Sequence, residues 1–195
     1  MATEVLERAT EERLTRRRAT VEEFWSLPES VLPVEYINGE IVMAPTPTVP
    51  HQRAILRMAS ALQQFITQHG LGEVFLSPLD VVLPTGEVVQ PDIFFLSTKQ
   101  AERARTAKRV NDVPLFLIEV LSPDSIAHDT ITKRNIYEKN GVREYWIVNN
   151  TSARSIAQFV LRKKHYVLTE LGESEVIKGS VLSGFESNVG ELLGS

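Results

Sequence analysis

The stretch Pro114-Leu115-Phe116-Leu117-Ile118-Glu119-Val120-Leu121 decides how this chain is read. Its nearly continuous apolar character marks a buried strand, of the kind found in sheets whose two faces are both covered. One charge interrupts the run, Glu119. An ionised carboxylate in such a strand costs several kcal/mol unless it meets a cation, a set of donors or water, so Glu119 calls for a partner.

A second carboxylate stands upstream. Asp92 follows Pro91 and opens the apolar segment Ile93-Phe94-Phe95-Leu96. Proline lacks an amide donor and favours a strand's first residue or an edge, so Asp92 sits where a strand begins to enter the core. If the strands at 92–96 and 115–121 are neighbours, both carboxylates project to one spot. Two such oxygens form a hard, partly filled shell of the kind Mg²⁺ accepts, with waters and a substrate phosphate completing it. The plainer alternative for either residue alone is a satisfied structural acid.

Working outward, residues 1–20 alternate acids and bases with few apolar anchors and are expected to form a fraying helical arm. Apolar runs on both sides of Asn38-Gly39 predict a hairpin with Glu40 opening the returning strand. After the proline-rich segment 45–50, Ile55, Met58, Ala59, Leu62, Phe65 and Ile66 recur at helical spacing up to Gly70. Strands are expected at 73–83, 88–96 and 143–149, a helix at 129–140 closed by Asn140-Gly141, a hairpin over 155–169, and a short closing element from Gly179. The order predicts an α/β fold: a central mixed β-sheet flanked by helices, in a single domain over residues 21–195.

Composition narrows the chemistry. The 195 residues include no Cys, which removes disulfides, thiolate zinc sites, iron–sulfur clusters and cysteine nucleophiles and suits a reducing, cytoplasmic setting. No apolar run approaches the roughly 18 residues that span a bilayer, so no membrane partner is expected. The formal charge is −4, and Glu170, Glu173, Glu175, Glu186 and Glu191 against Lys178 place that acidity at the C-terminal end. Lys99, Arg103, Arg105, Lys108 and Arg109 against Glu102 form a basic segment that could lie along phosphates or be a solvated face. Ser122 lacks the Gly-x-Ser-x-Gly elbow of serine hydrolases, and no phosphate-cradling glycine loop is present. Tyr137, Tyr145 and Trp146 fit core packing better than base stacking.

Pro91-Asp92, the strand end Ile118-Glu119-Val120-Leu121-Ser122-Pro123, and the run from Asp129 through Lys133 and Tyr137 to Trp146 together resemble the Uma-type endonuclease family. That family carries the restriction-endonuclease-like PD-(D/E)XK fold. The resemblance runs from about Glu35 to the closing residues, with Asn38-Gly39-Glu40 and His51 also at family positions. It implies a Mg²⁺-dependent phosphodiesterase, Mn²⁺ substituting, that holds metal through an early acid, Asp92 and Glu119. Glu40 is the early acid considered, and the Val120 backbone carbonyl a further ligand. Leu121 stands where the general nuclease pattern has lysine, and the resemblance implies that Lys133 takes over. Asp129, Lys133 and Tyr137 are spaced i, i+4 and so share one helix face, although an ordinary Asp129–Lys133 surface pair is the simpler reading. His51 and the basic segment are the candidate nucleic-acid contacts. The expected substrate is DNA, with RNA and a homodimer left open. The alternative is a catalytically silent module of the same fold that binds nucleic acid or a protein partner.

Overall fold

The computed structural model describes residues 14–28, 32–122, 125–151 and 153–194, so residues 1–13 of the expected arm and Pro123 lie outside the described residues. The chain opens with β1 (Thr15–Arg18), α1 (Val21–Trp25), the hairpin β2 (Val34–Ile37) and β3 (Glu40–Met43), and the long helix α2 (Val49–His69). There follow β4 (Gly72–Leu76), β5 (Val81–Val82), β6 (Val88–Val89), β7 (Ile93–Ser97), α3 (Thr98–Ala104) and β8 (Phe116–Val120). A π-helical turn (His128–Lys133) runs into α4 (Arg134–Lys139), then come β9 (Glu144–Asn149), β10 (Ser155–Arg162) and β11 (His165–Gly172). The last elements are β12 (Val176–Lys178), β13 (Glu186–Asn188) and α5 (Val189–Leu193).

Six strands form the central sheet in the order β11-β10-β9-β8-β7-β4. β8 and β9 are parallel while β7 and β8 are antiparallel, which makes the sheet mixed. Along β8 the side chains alternate in facing. Phe116, Ile118 and Val120 pack with Met58, Leu62 and Ile66 of α2, whereas Leu117 joins Phe94, Tyr145, Ile136 and Tyr137 on the other face. Glu119 therefore points to the α4 side. α2 is started by Thr48, whose hydroxyl accepts from the His51 amide at 3.4 Å, and is stopped at Gly70 in the left-handed region, φ 61°.

A second, five-stranded sheet has the order β1-β3-β2-β6-β5. Several expectations are corrected here. Residues 15–18 are a strand, because pairing with β3 supplies backbone partners that an isolated helix of charged residues could not match. The segment 88–96 is two strands in different sheets, β6 and β7, separated at Gln90-Pro91 where proline cannot donate to a ladder. Residues 73–83 likewise divide into β4 and β5 across Ser77-Pro78. The acidic C-terminal end is structured: Glu173 pairs with Arg154 at 2.8 Å and Glu186 with Lys178 at 3.4 Å, while Leu192 and Leu193 join the core. Among the described residues, no helix is long and apolar enough to cross a membrane.

Candidate functional site

The register Ile93↔Ile118 between β7 and β8, extended by one residue, sets Asp92 opposite Glu119. Directly opposed residues of antiparallel strands have Cβ atoms about 4.5–5.5 Å apart, so the pairing alone juxtaposes two acids. Cross-strand hydrogen bonds tie them: the Val120 amide donates to Asp92 Oδ2 at 2.8 Å, and the Asp92 amide reaches Glu119 Oε2 at 3.4 Å. From the helical side, Lys133 Nζ donates to Glu119 Oε1 at 2.9 Å and the Tyr137 hydroxyl donates to the same oxygen at 2.8 Å. Asp129 Oδ1 lies 3.7 Å from Lys133 Nζ. All three helical residues are buried, so Asp129–Lys133 is an interior pair and the surface reading is set aside.

The third acid at Lys133 is Glu35 on β2, with Oε1 2.9 Å from Nζ. Glu35 Oε1 also accepts from the Gln90 amide at 2.8 Å, and Oε2 lies 3.1 Å from His128 Nε2. Glu40, considered for this place, sits at the hairpin end with its carboxylate 3.6 Å from Arg16, and it does not line the cleft. Glu35 was legible in principle. Asn38-Gly39 fixes the hairpin register, and strand alternation puts Glu35 on the face of the buried Ile37. His128 carries no local signal, because only tertiary folding brings it to Glu35, 93 residues away in sequence.

These groups line one cavity of about 190 Å³, whose walls include His51, Ser122 and the proline-rich segment Pro45-Thr46-Pro47. His51 Nε2 lies 3.2 Å from Asp92 Oδ2. Burial is the largest influence on the His51 ring and disfavours its charge, yet Asp92 and the Val120 carbonyl outweigh it and raise the pKa. Lys99, Arg103, Arg105, Lys108 and Arg109 do not line this cavity. Arg103 is bound to Asp112 and Arg105 to Glu102, each at 2.6 Å, and Arg109 stacks 3.8 Å over the Trp25 ring. The basic segment is thus largely engaged in local pairs, apart from the acids.

Charge is out of balance in the cleft. Among the described residues, Glu35, Asp92, Glu119 and Asp129 line the cleft with one permanently charged side chain, Lys133, besides the two imidazoles. Burial works downward on Lys133, but Glu119, Glu35 and Asp129 together raise its pKa well above the ordinary value. Burial also pushes Glu35 upward, yet Lys133, His128 and the Gln90 amide hold it down to about 2. Glu119 goes the other way: burial raises its pKa well above the carboxylate range, Lys133 opposes, and Asp129, Asp92 and Glu35 add to the rise. The one ammonium is shared among three acids, so further positive charge nearby would favour the ionised form of Glu119.

Glu144 shows what a satisfied buried acid looks like. It is fully buried in β9, but its oxygens accept from Trp146 Nε1, Gln158 Nε2 and the amides of Ser180 and Val181 at 2.6–2.9 Å. Glu119 instead has the Tyr137 hydroxyl and a lysine shared with competing acids on one oxygen, and the more distant Asp92 amide on the other. Among the described residues no three His, Asp or Glu side chains converge as a complete metal shell. What is on offer is partial: the carboxylates of Asp92 and Glu119 with the Val120 carbonyl beside them. Mg²⁺, which keeps several waters and takes one or two protein carboxylates, fits this hard oxygen set and the surplus negative charge.

A family model described as "Uma2: Putative restriction endonuclease" matches residues 21–190. No curated protein matches. Among solved structures, the chain is similar to one described as a "putative nuclease belonging to DUF820" from Anabaena variabilis, with TM-score 0.77 and 20% identity over 89% of this chain and 97% of that one.

Proposed function

Since this chain belongs to the Uma2 family and has the fold of a nuclease relative, we propose that it is a Mg²⁺-dependent endonuclease hydrolysing phosphodiester bonds of DNA. The observation that carries this reading is the juxtaposition of Asp92 and Glu119 across β7 and β8, with Lys133 donating to Glu119 from behind. Asp92, Glu119 and the Val120 carbonyl would hold the metal, with Mn²⁺ able to replace Mg²⁺. When bound, the ion polarises a phosphoryl oxygen and lowers the pKa of water. Lys133 keeps its proton under all ordinary conditions, so it orients Glu119 and offsets negative charge building at phosphorus; it does not act as a general base. Tyr137 holds Glu119 Oε1 with its hydroxyl, which burial and the neighbouring carboxylates keep protonated. His51 meets Asp92 at the cavity wall, where a donor ring can contact a scissile phosphate.

An uncompensated acidic cleft repels a polyanion, which makes the metal a condition for DNA to enter as well as for its hydrolysis. A cytoplasmic setting belongs to the same proposal, supported by the absence of Cys. The test is a calorimetric Mg²⁺ and Mn²⁺ titration of wild type and Asp92→Ala, with plasmid and oligonucleotide cleavage measured in parallel. Saturable binding in wild type, lost in Asp92→Ala and accompanied by metal-dependent cleavage, is expected. A wild-type protein that binds no divalent ion and cuts no DNA overturns the enzyme reading in favour of a binding module.

A further inference from the structure

One cation reaches the site from outside the family-matched residues. Arg16 lies on β1, ahead of the match at 21–190, on an edge strand whose four residues are all exposed. Its register partner on β3 is Val42, which lines the cleft. Arg16 Nη1 is 3.6 Å from Glu40 Oε2, and Nη2 is 2.9 Å from His128 Nδ1.

Arginine has only donors, so the His128 nitrogen facing it must offer a lone pair. The ring proton is then on Nε2, 3.1 Å from Glu35 Oε2. The opposite tautomer would set a bare Nε2 against a carboxylate oxygen and a protonated Nδ1 against a guanidinium, repulsive at both ends. Glu35 passes the constraint on, because its other oxygen holds Lys133 Nζ at 2.9 Å, and Lys133 holds Glu119 at the same distance. Glu40, the early acid considered for the metal on the family resemblance, stands at the outer end of this chain as a neighbour of Arg16.

We infer that Arg16 is a positioning residue: by keeping Nδ1 bare it holds His128, together with Glu35, in one tautomer, and this bridge sets Glu35 and Lys133 against Glu119. The edge strand β1 is thereby a working part of the site. The structural half of this inference stands without any activity, while its effect on turnover rests on the nuclease reading.

The decisive measurement is the ¹⁵N imidazole spectrum of His128 in the full-length protein, for wild type, Arg16→Met, Arg16→Ala and Arg16→Lys. Wild type is expected to show a single tautomer with the proton on Nε2. Arg16→Met, which keeps an unbranched stem on β1 but no donor, leaves Nδ1 free to take up a proton while Glu35 still holds the one on Nε2, so the single-tautomer signature is lost, as in Arg16→Ala. Arg16→Lys, which keeps a cationic donor, restores it. Arg18→Met, a change on the same strand outside the chain of contacts, leaves the spectrum as in wild type. A wild-type tautomer persisting in folded Arg16→Met overturns the inference, and that variant decides alone if Arg16→Ala fails to fold. In Mg²⁺-dependent cleavage, Arg16→Met lowers kcat by about 10- to 100-fold with KM unchanged, the range found when a group supporting a site ligand from behind is removed. In a His128→Phe background the same change has no further effect. If wild type cuts nothing, the nuclease reading fails, yet the spectrum still decides the role of Arg16.

Discussion

At the residue scale, Glu119 and Lys133 act as a pair whose partners determine what each substitution does. Glu119→Gln keeps the shape of the side chain and removes the charge a metal needs. Cleavage is expected to fall at least 10²- to 10³-fold, the loss typical of one charge-stabilising group. Because burial in the metal-free fold disfavours the charge of Glu119, thermal melts at neutral pH should find Glu119→Gln as stable as wild type or more so. Wild type alone should gain stability with Mg²⁺, by about 2.7 kcal/mol at a hundredfold excess over Kd. Lys133→Met has the opposite character: it leaves Glu35, Glu119 and Asp129 without their shared cation. A loss of about 3–5 kcal/mol in denaturant unfolding is expected, the cost of stranding buried charge. The pH dependence has two signs. Glu35, depressed to about 2, contributes stability that is present above its unfolded pKa of about 4.3 and is lost as pH falls toward 2. Glu119, raised in the fold, weakens the metal-free fold as pH climbs above its unfolded value, since the unfolded state gives up that proton first. Calorimetry of Mg²⁺ binding in buffers of different ionisation enthalpy should therefore detect proton release, and metal affinity should increase with pH across the rise.

At the element scale, the site is a meeting of two sheets and one helix. β7 and β8 bring the acids, β2 brings Glu35, and the π-helical turn running into α4 brings His128, Asp129, Lys133 and Tyr137. The sequence pattern made the buried strand, its neighbour and the Asn38-Gly39 turn readable, because alternation and turn chemistry are local. It also placed Asp129, Lys133 and Tyr137 on one helical face. The choice of Glu35 over Glu40 was harder, since both acids flank the turn and the hairpin register decides which lies deep in the groove. Glu144 offers a control at this scale. Glu144→Gln puts an amide donor among donors from Trp146, Gln158, Ser180 and Val181 and should cost about 1–3 kcal/mol in unfolding while leaving Mg²⁺ affinity unchanged. A loss of metal binding in that variant would mean that β9 and its contacts set the cleft geometry more directly than the β7–β8 register does.

At the scale of the whole molecule, the C-terminal segment belongs to the core. Ending the chain at residue 170 removes Leu171, Ile177, Leu182, Phe185, Val189, Leu192 and Leu193, all buried. At about 1.5–3 kcal/mol for each such side chain, the loss is roughly 10–20 kcal/mol, comparable to or larger than the roughly 5–15 kcal/mol by which a domain is stable. The shortened protein is expected to show no cooperative thermal transition, and circular dichroism would check this. Relieving acidic repulsion of DNA therefore requires charge-neutralising substitutions at exposed Glu170, Glu175 or Glu191, with the chain left whole.

The sequence by itself determined the α/β class, the mixed central sheet, the long α2 helix and the pair Asp92 and Glu119 as acids entering a core. Each of these follows from periodicity, turn residues or the cost of charge in an apolar strand, which are properties of neighbours along the chain. Only the tertiary structure decided that Glu35 replaces Glu40 in the cleft, that His128 and Arg16 stand behind it, and that Arg103 and Arg105 of the basic segment are paired with Asp112 and Glu102. Contacts such as Arg16 to His128 span 112 residues, and a hydrogen bond at that separation leaves no period or composition to read. Strand order and register create it, and both are set by the packing of the entire domain.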